Sequence, residues 1–65
     1  MKKLKAIRKF RCMTFAELAL RAGTSRVMIW RYESGRVSPT IQALTKLAKA
    51  LDVDVCELIE EGGDV

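Results

Sequence analysis

Apolar residues recur along this chain at the three-to-four spacing of an amphipathic helix, and nowhere with the two-residue alternation of a strand. Five short segments carry the pattern. The first places Leu4, Ile7 and Arg8 on one face with lysines around the other, and ends near Cys12 and Met13. The second has Leu18, Ala19 and Ala22 as its inner stripe, and the third turns Ile29 and Tyr32 inward. A fourth buries Ile41, Leu44, Leu47, Ala48 and Leu51, and a short fifth carries Leu58 and Ile59. The pattern predicts an all-α fold, a compact five-helix domain.

Polar residues mark where these helices start and stop. In "TFAE" the Thr14 hydroxyl can accept from the Glu17 amide while the Glu17 carboxylate reaches back to the Thr14 amide, a capping box that opens the second helix. Gly23 is a natural left-handed stop, Ser25 caps the third helix, and Ser34 with Gly35 ends it. Pro39 and Thr40 open the fourth helix, and Asp54 with Glu57 offers a second capping box before the fifth. The tail "EGGDV" reads as frayed. With no repeat, linker or low-complexity segment, residues 1–65 form one domain.

A chain of 65 residues buries only about 60% of its surface on folding, which leaves little room for an enzyme pocket. It has no histidine, no phosphate-cradling loop and no acid and base groups that could share a pocket, so catalysis is not expected. Cys12 and Cys56 fit no metal-ligand spacing, and they read as reduced, packed thiols. No metal or other cofactor is expected, and no small-molecule ligand is evident. The basic start "MKKLKAIRKF" is followed by no apolar run of a secretory signal, and no stretch approaches the length of a membrane span. A cytoplasmic protein is expected, and the Leu4–Ile7 stripe is too narrow for a membrane-surface helix.

Charge sharpens the picture. Residues 1–36 hold ten lysines and arginines against Glu17 and Glu33, a balance of +8, whereas the remainder carries −4, for a net +4. The basic half suits a polyanion, although a solvated charged face would look the same in charge alone. Two short helices joined at Gly23, with Ala19 as the small residue where they approach, make a helix-turn-helix over about residues 15–34. Ser25, Arg26, Val27, Trp30 and Arg31 then lie on or near the outward side of its second helix, whose amino end enters the major groove in such motifs.

The segments "TFAELALRAGTSRVMIWRYESG" and "PTIQALTKLAKALDVDVCELI" resemble the lambda-repressor-like, Cro-type helix-turn-helix family, also called the xenobiotic response element family. The resemblance spans about residues 3 to 60 and rests on Ala19, Gly23 and Ile29 followed by "YESG" and a proline-capped fourth helix. It implies a five-helix DNA-binding domain, commonly a dimer on a palindromic operator, that acts as a transcriptional repressor or regulator. Base contacts would fall on Ser25, Arg26, Val27 and Arg31, and phosphate contacts on Thr14, Phe15, Ser34, Arg36 and Thr40. The family also pairs an arginine late in the first helix with a glutamate late in the third, here Arg8 with Glu33. Three residues depart from its pattern: Phe15 stands where a glutamine usually bonds DNA, Cys12 where a glycine often ends the first helix, and Trp30 where the residue is more often polar.

The physics of each candidate leaves specific alternatives. Arg26 and Arg31 carry forked donors that match O6 and N7 of guanine, or either touches only phosphate. Val27 meets a thymine methyl or packs in the core. Ser25 is first a helix cap and second a contact. Trp30 lies against the DNA backbone, joins a partner subunit or covers the core's edge. A single reading helix selects too few base pairs, so a homodimer is expected, with Val53, Val55, Leu58 and Ile59 either at its interface or in the core. The competing function is an interaction protein, such as an antitoxin that holds a toxin through its acidic C-terminal segment or a partner in a restriction-modification system.

Overall fold

A computed structural model describes residues 1–59, so the "EGGDV" tail lies outside the described residues. The chain forms α1 (Lys2–Phe10), α2 (Phe15–Ala22), α3 (Arg26–Ser34) and α4 (Ile41–Leu51), followed by one 3-10 turn at Val55–Glu57. Among the described residues there is no strand. Four helices thus replace the expected five. The Asp54 amide donates to Glu57 Oε2 (3.2 Å) as a capping box requires, but the bonds that follow run i to i+3, from Glu57 N–H to Asp54 (3.0 Å) and Leu58 N–H to Val55 (2.9 Å).

The caps expected at the starts of α2, α3 and α4 are present. Thr14 Oγ1 accepts from the Glu17 amide (3.1 Å) and Glu17 Oε1 accepts from the Thr14 amide (2.9 Å). Ser25 Oγ accepts from Met28 N–H (3.2 Å), and Thr40 Oγ1 from Ala43 N–H (3.1 Å). Helices α2, α3 and α4 end directly on a left-handed residue, Gly23 (φ 72°), Gly35 (φ 80°) or Asp52 (φ 59°), and α1 reaches one at Cys12 (φ 57°) after Arg11. In each case the next residue's N–H bonds back five positions: Met13 to Arg8, Thr24 to Ala19, Arg36 to Arg31 and Val53 to Ala48, at 2.9–3.1 Å. The left-handed residue's own N–H bonds back three positions, to Lys9, Leu20, Tyr32 and Lys49 in turn, and the two hydrogen bonds together satisfy the last carbonyls of the helix and sharply redirect the chain.

Leu4, Leu18, Ala19, Ala22, Ile29, Tyr32, Leu47, Ala48, Leu51 and Leu58 form the core. Helix α2 lies between α3 and α4, α1 packs on α3, and the 3-10 turn packs on α4. Three expected placements change. Ile41 is 79% exposed although its phase matches Leu44 and Ala48, because a first-turn side chain leans toward the helix amino end and off the core. Leu58 is fully buried, which removes it from any surface and assigns it to packing. Cys12 and Cys56 are free thiols but exposed rather than packed, one at the left-handed corner after α1 and the other on the outer side of the 3-10 turn.

Candidate nucleic-acid interface

Arg8 fixes the orientation of α3. Its Nε donates to Glu33 Oε2 (2.6 Å) and its Nη2 to Glu33 Oε1 (3.2 Å), a two-point pair whose side chains are only 10% and 5% exposed. Nη1 donates to the Met13 carbonyl (2.8 Å) in the α1–α2 corner, and the guanidinium carbon lies 4.4 Å from the centre of the Phe15 ring. One side chain on α1 therefore holds the corner, the start of α2 and the end of α3. The Met1 amino group adds a tie to α3, donating to the carbonyls of Tyr32 (2.9 Å) and Glu33 (3.2 Å).

Held in this way, α3 turns Ile29 and Tyr32 into the core and leaves Ser25, Arg26, Val27, Trp30, Arg31 and Ser34 exposed. Val27 is 54% exposed, which decides against core packing, and Trp30 is 44% exposed, outside the buried core but partly covered. Arg26, Val27 and Trp30 line one cleft with Phe15, so the starts of α2 and α3 meet there. Arg36 lies over the Trp30 ring at 5.0 Å. Among the described residues neither Arg26 nor Arg31 has an ion-pair partner, so their donors face solvent.

Neither carboxylate of the basic half forms an ion pair with these arginines. Glu33 is taken by Arg8 and Glu17 by the Thr14 amide. The phosphate candidates differ in what they can still offer. Phosphate only accepts hydrogen bonds, and the capping hydroxyls of Ser25, Thr14 and Thr40 accept from the backbone while keeping their own hydrogen to donate. Ser34 Oγ already donates to the Arg31 carbonyl (3.3 Å), so it must rotate before it can reach a phosphate. Phe15 has no polar side chain, but its backbone N–H belongs to the first turn of α2, where such groups lack a helical acceptor. Thr40 lies apart from the Phe15–Trp30 cleft, in a polar cleft shared with Gly23, Thr24, Gln42 and Lys46. Sequence reasoning passes over Gln42 and Lys46, and their four-residue spacing on α4 is the signal that places them on one face.

The proposed dimer residues are dispersed. Val53 and Val55 are half-buried against the core, Leu58 is inside it, and Ile59 is 48% exposed. Ile59 lines an apolar groove with Val37, Pro39 and Leu44. Among the described residues no group of three or more acidic, cysteine or histidine side chains could hold a metal ion, and no helix is long and apolar enough to cross a membrane.

Comparison with known proteins agrees with this geometry. The model of the helix-turn-helix family matches residues 4–58, which takes in all four helices from Leu4 onward and the 3-10 turn. None of the curated proteins compared with the chain matches it. With a reading helix presented by a glycine corner and a match over most of its length, the chain belongs to the lambda-repressor-like helix-turn-helix family of DNA-binding regulators.

Proposed function

We propose that the chain is a sequence-specific transcriptional repressor that binds a palindromic operator as a homodimer. The observation that carries this reading is the outward face of α3, where unpaired Arg26 and Arg31 flank Val27 and Trp30 while Arg8 and Glu33 lock the helix beneath. Arg31 presents forked donors to guanine O6 and N7, Arg26 offers its donors to the acceptors of a neighbouring base, and Val27 adds apolar contact at base edges. Ser25 supplies its remaining hydroxyl hydrogen. Thr14, the Phe15 amide, Arg36 and Thr40 hold flanking phosphates, with Lys46 added to them and Ser34 joining on rotation.

A dimer follows from size. The described residues extend 33 × 22 × 20 Å and present one reading helix, whereas successive major grooves on one side of a duplex are about 34–36 Å apart. Two copies related by a two-fold axis bridge that distance. Val37 and Ile59, exposed and on one groove, offer an apolar contact to join them; Phe10, Leu20 and Ile41 are also exposed. Repression needs only occupancy of the operator, which a small domain achieves by excluding other proteins.

Selection of bound sites from a pool of random duplexes tests the reading. A single inverted-repeat motif is expected, bound by two copies in sedimentation, with affinity falling linearly in log salt by about 0.9 per phosphate neutralised. No enriched motif, or a monomer both free and on the selected duplex, would contradict it. An antitoxin would instead co-purify with a protein partner.

A further inference from the structure

We infer that the cleft formed by Phe15, Val27 and Trp30 is a methyl-reading site, which recognises the 5-methyl group of a thymine in the major groove. The inference rests on the DNA-binding reading above and assigns a specificity that arginine forks alone would not give.

Three observations carry it. First, the reading helix carries an apolar surface where a polar one would serve base edges: Val27 and Trp30 are three residues apart on α3, and Phe15 reaches the same cleft from the first position of α2. In the major groove the thymine methyl is the one apolar feature available to such a surface. Second, each aromatic ring of this shallow, open depression has one face covered. Arg8 covers one side of Phe15 at 4.4 Å and Arg36 one side of Trp30 at 5.0 Å, so neither ring has both faces free to slide between stacked bases. Third, the polar member of the cleft is Arg26, which offers only donors. Beside its methyl, thymine presents the O4 acceptor, whereas 5-methylcytosine presents the N4 amino group, a donor that Arg26 cannot satisfy. The cleft thus favours thymine over methylated cytosine.

The test uses the full chain and the tightest duplex selected from a random pool, resynthesised with deoxyuridine replacing thymine one position at a time. Deoxyuridine lacks only the 5-methyl group. At one thymine in each half-site the change is expected to weaken binding about fourfold, and about fifteenfold when both half-sites are changed, the worth of one and two buried methyls. In Val27→Ser and Trp30→Ala, the thymine and deoxyuridine duplexes are expected to bind alike. Val27 is 54% and Trp30 44% exposed and neither belongs to the buried core, and unchanged melting temperatures would show that the fold is intact.

A wild-type protein indifferent to deoxyuridine at every position would overturn the methyl site while leaving DNA binding in place, as would variants that keep the full preference. If 5-methylcytosine paired with guanine at the same position bound as tightly as thymine, the assignment to thymine would fall. If the protein showed no salt-dependent affinity for any duplex, the DNA-binding reading itself would fail and this inference with it.

Discussion

Arg8 shows how one side chain can set the geometry of a small protein. Its guanidinium is nearly enclosed, yet each of its three nitrogens donates a hydrogen bond, two to Glu33 and one to the Met13 carbonyl, and no buried polar side-chain atom among the described residues lacks a partner. Removing one partner of a buried pair leaves the other charge without compensation, at a cost of about 3–5 kcal/mol. The whole domain has about 3–10 kcal/mol to lose, on the usual stability per residue. Glu33→Ala is therefore expected to melt far below the wild type and to be partly unfolded at 37 °C, before any change in base preference is seen. A wild-type melting curve would remove the pair from the account. Cys12 is the opposite case, because its left-handed backbone strains any residue with a Cβ. Cys12→Gly relieves that strain at some entropic cost, for a net gain of about 0.5–1 kcal/mol. Calorimetry should show a melting temperature about 2–8 °C higher.

At the scale of elements, the shared helix ending was partly legible. Gly23 and Gly35 announce themselves because glycine alone adopts positive φ without cost, whereas at Cys12 only the family's usual glycine hints at it and at Asp52 only the tolerance of aspartate for this region. At Gly23 an added Cβ would meet nothing within 4 Å, so the conformation and not crowding requires glycine. Gly23→Ala is expected to cost about 1–2 kcal/mol in chemical denaturation, with the slope of the transition unchanged. The starts of α2, α3 and α4 were readable for a similar reason, since each cap is a bond between residues three apart. What depends on distant packing was not. Periodicity alone could not tell that Ile41 overhangs the core, that Leu58 enters it, or that the fifth helix closes after one 3-10 turn. Nor could spacing bring Phe15 beside Trp30, because α2 and α3 meet only after the corner at Gly23 is made.

For the whole molecule, the sequence's charge asymmetry gains a physical form. Of the two carboxylates in the first 36 residues, Glu33 is neutralised by Arg8 and Glu17 closes a capping box at the start of α2, so neither forms an ion pair with the exposed arginines of α3 or with Arg36. Such a surface attracts a polyanion from a distance and holds it in a salt-dependent way. The central claim is that α3 enters the duplex with Arg26 and Arg31 foremost. It is tested most directly by measuring the affinity of the Arg26→Glu, Arg31→Glu double variant for the selected operator beside the wild type. Both side chains are exposed, so an unchanged melting temperature is expected together with at least about a thirtyfold loss of affinity. Undiminished operator binding by the folded double variant would contradict the account.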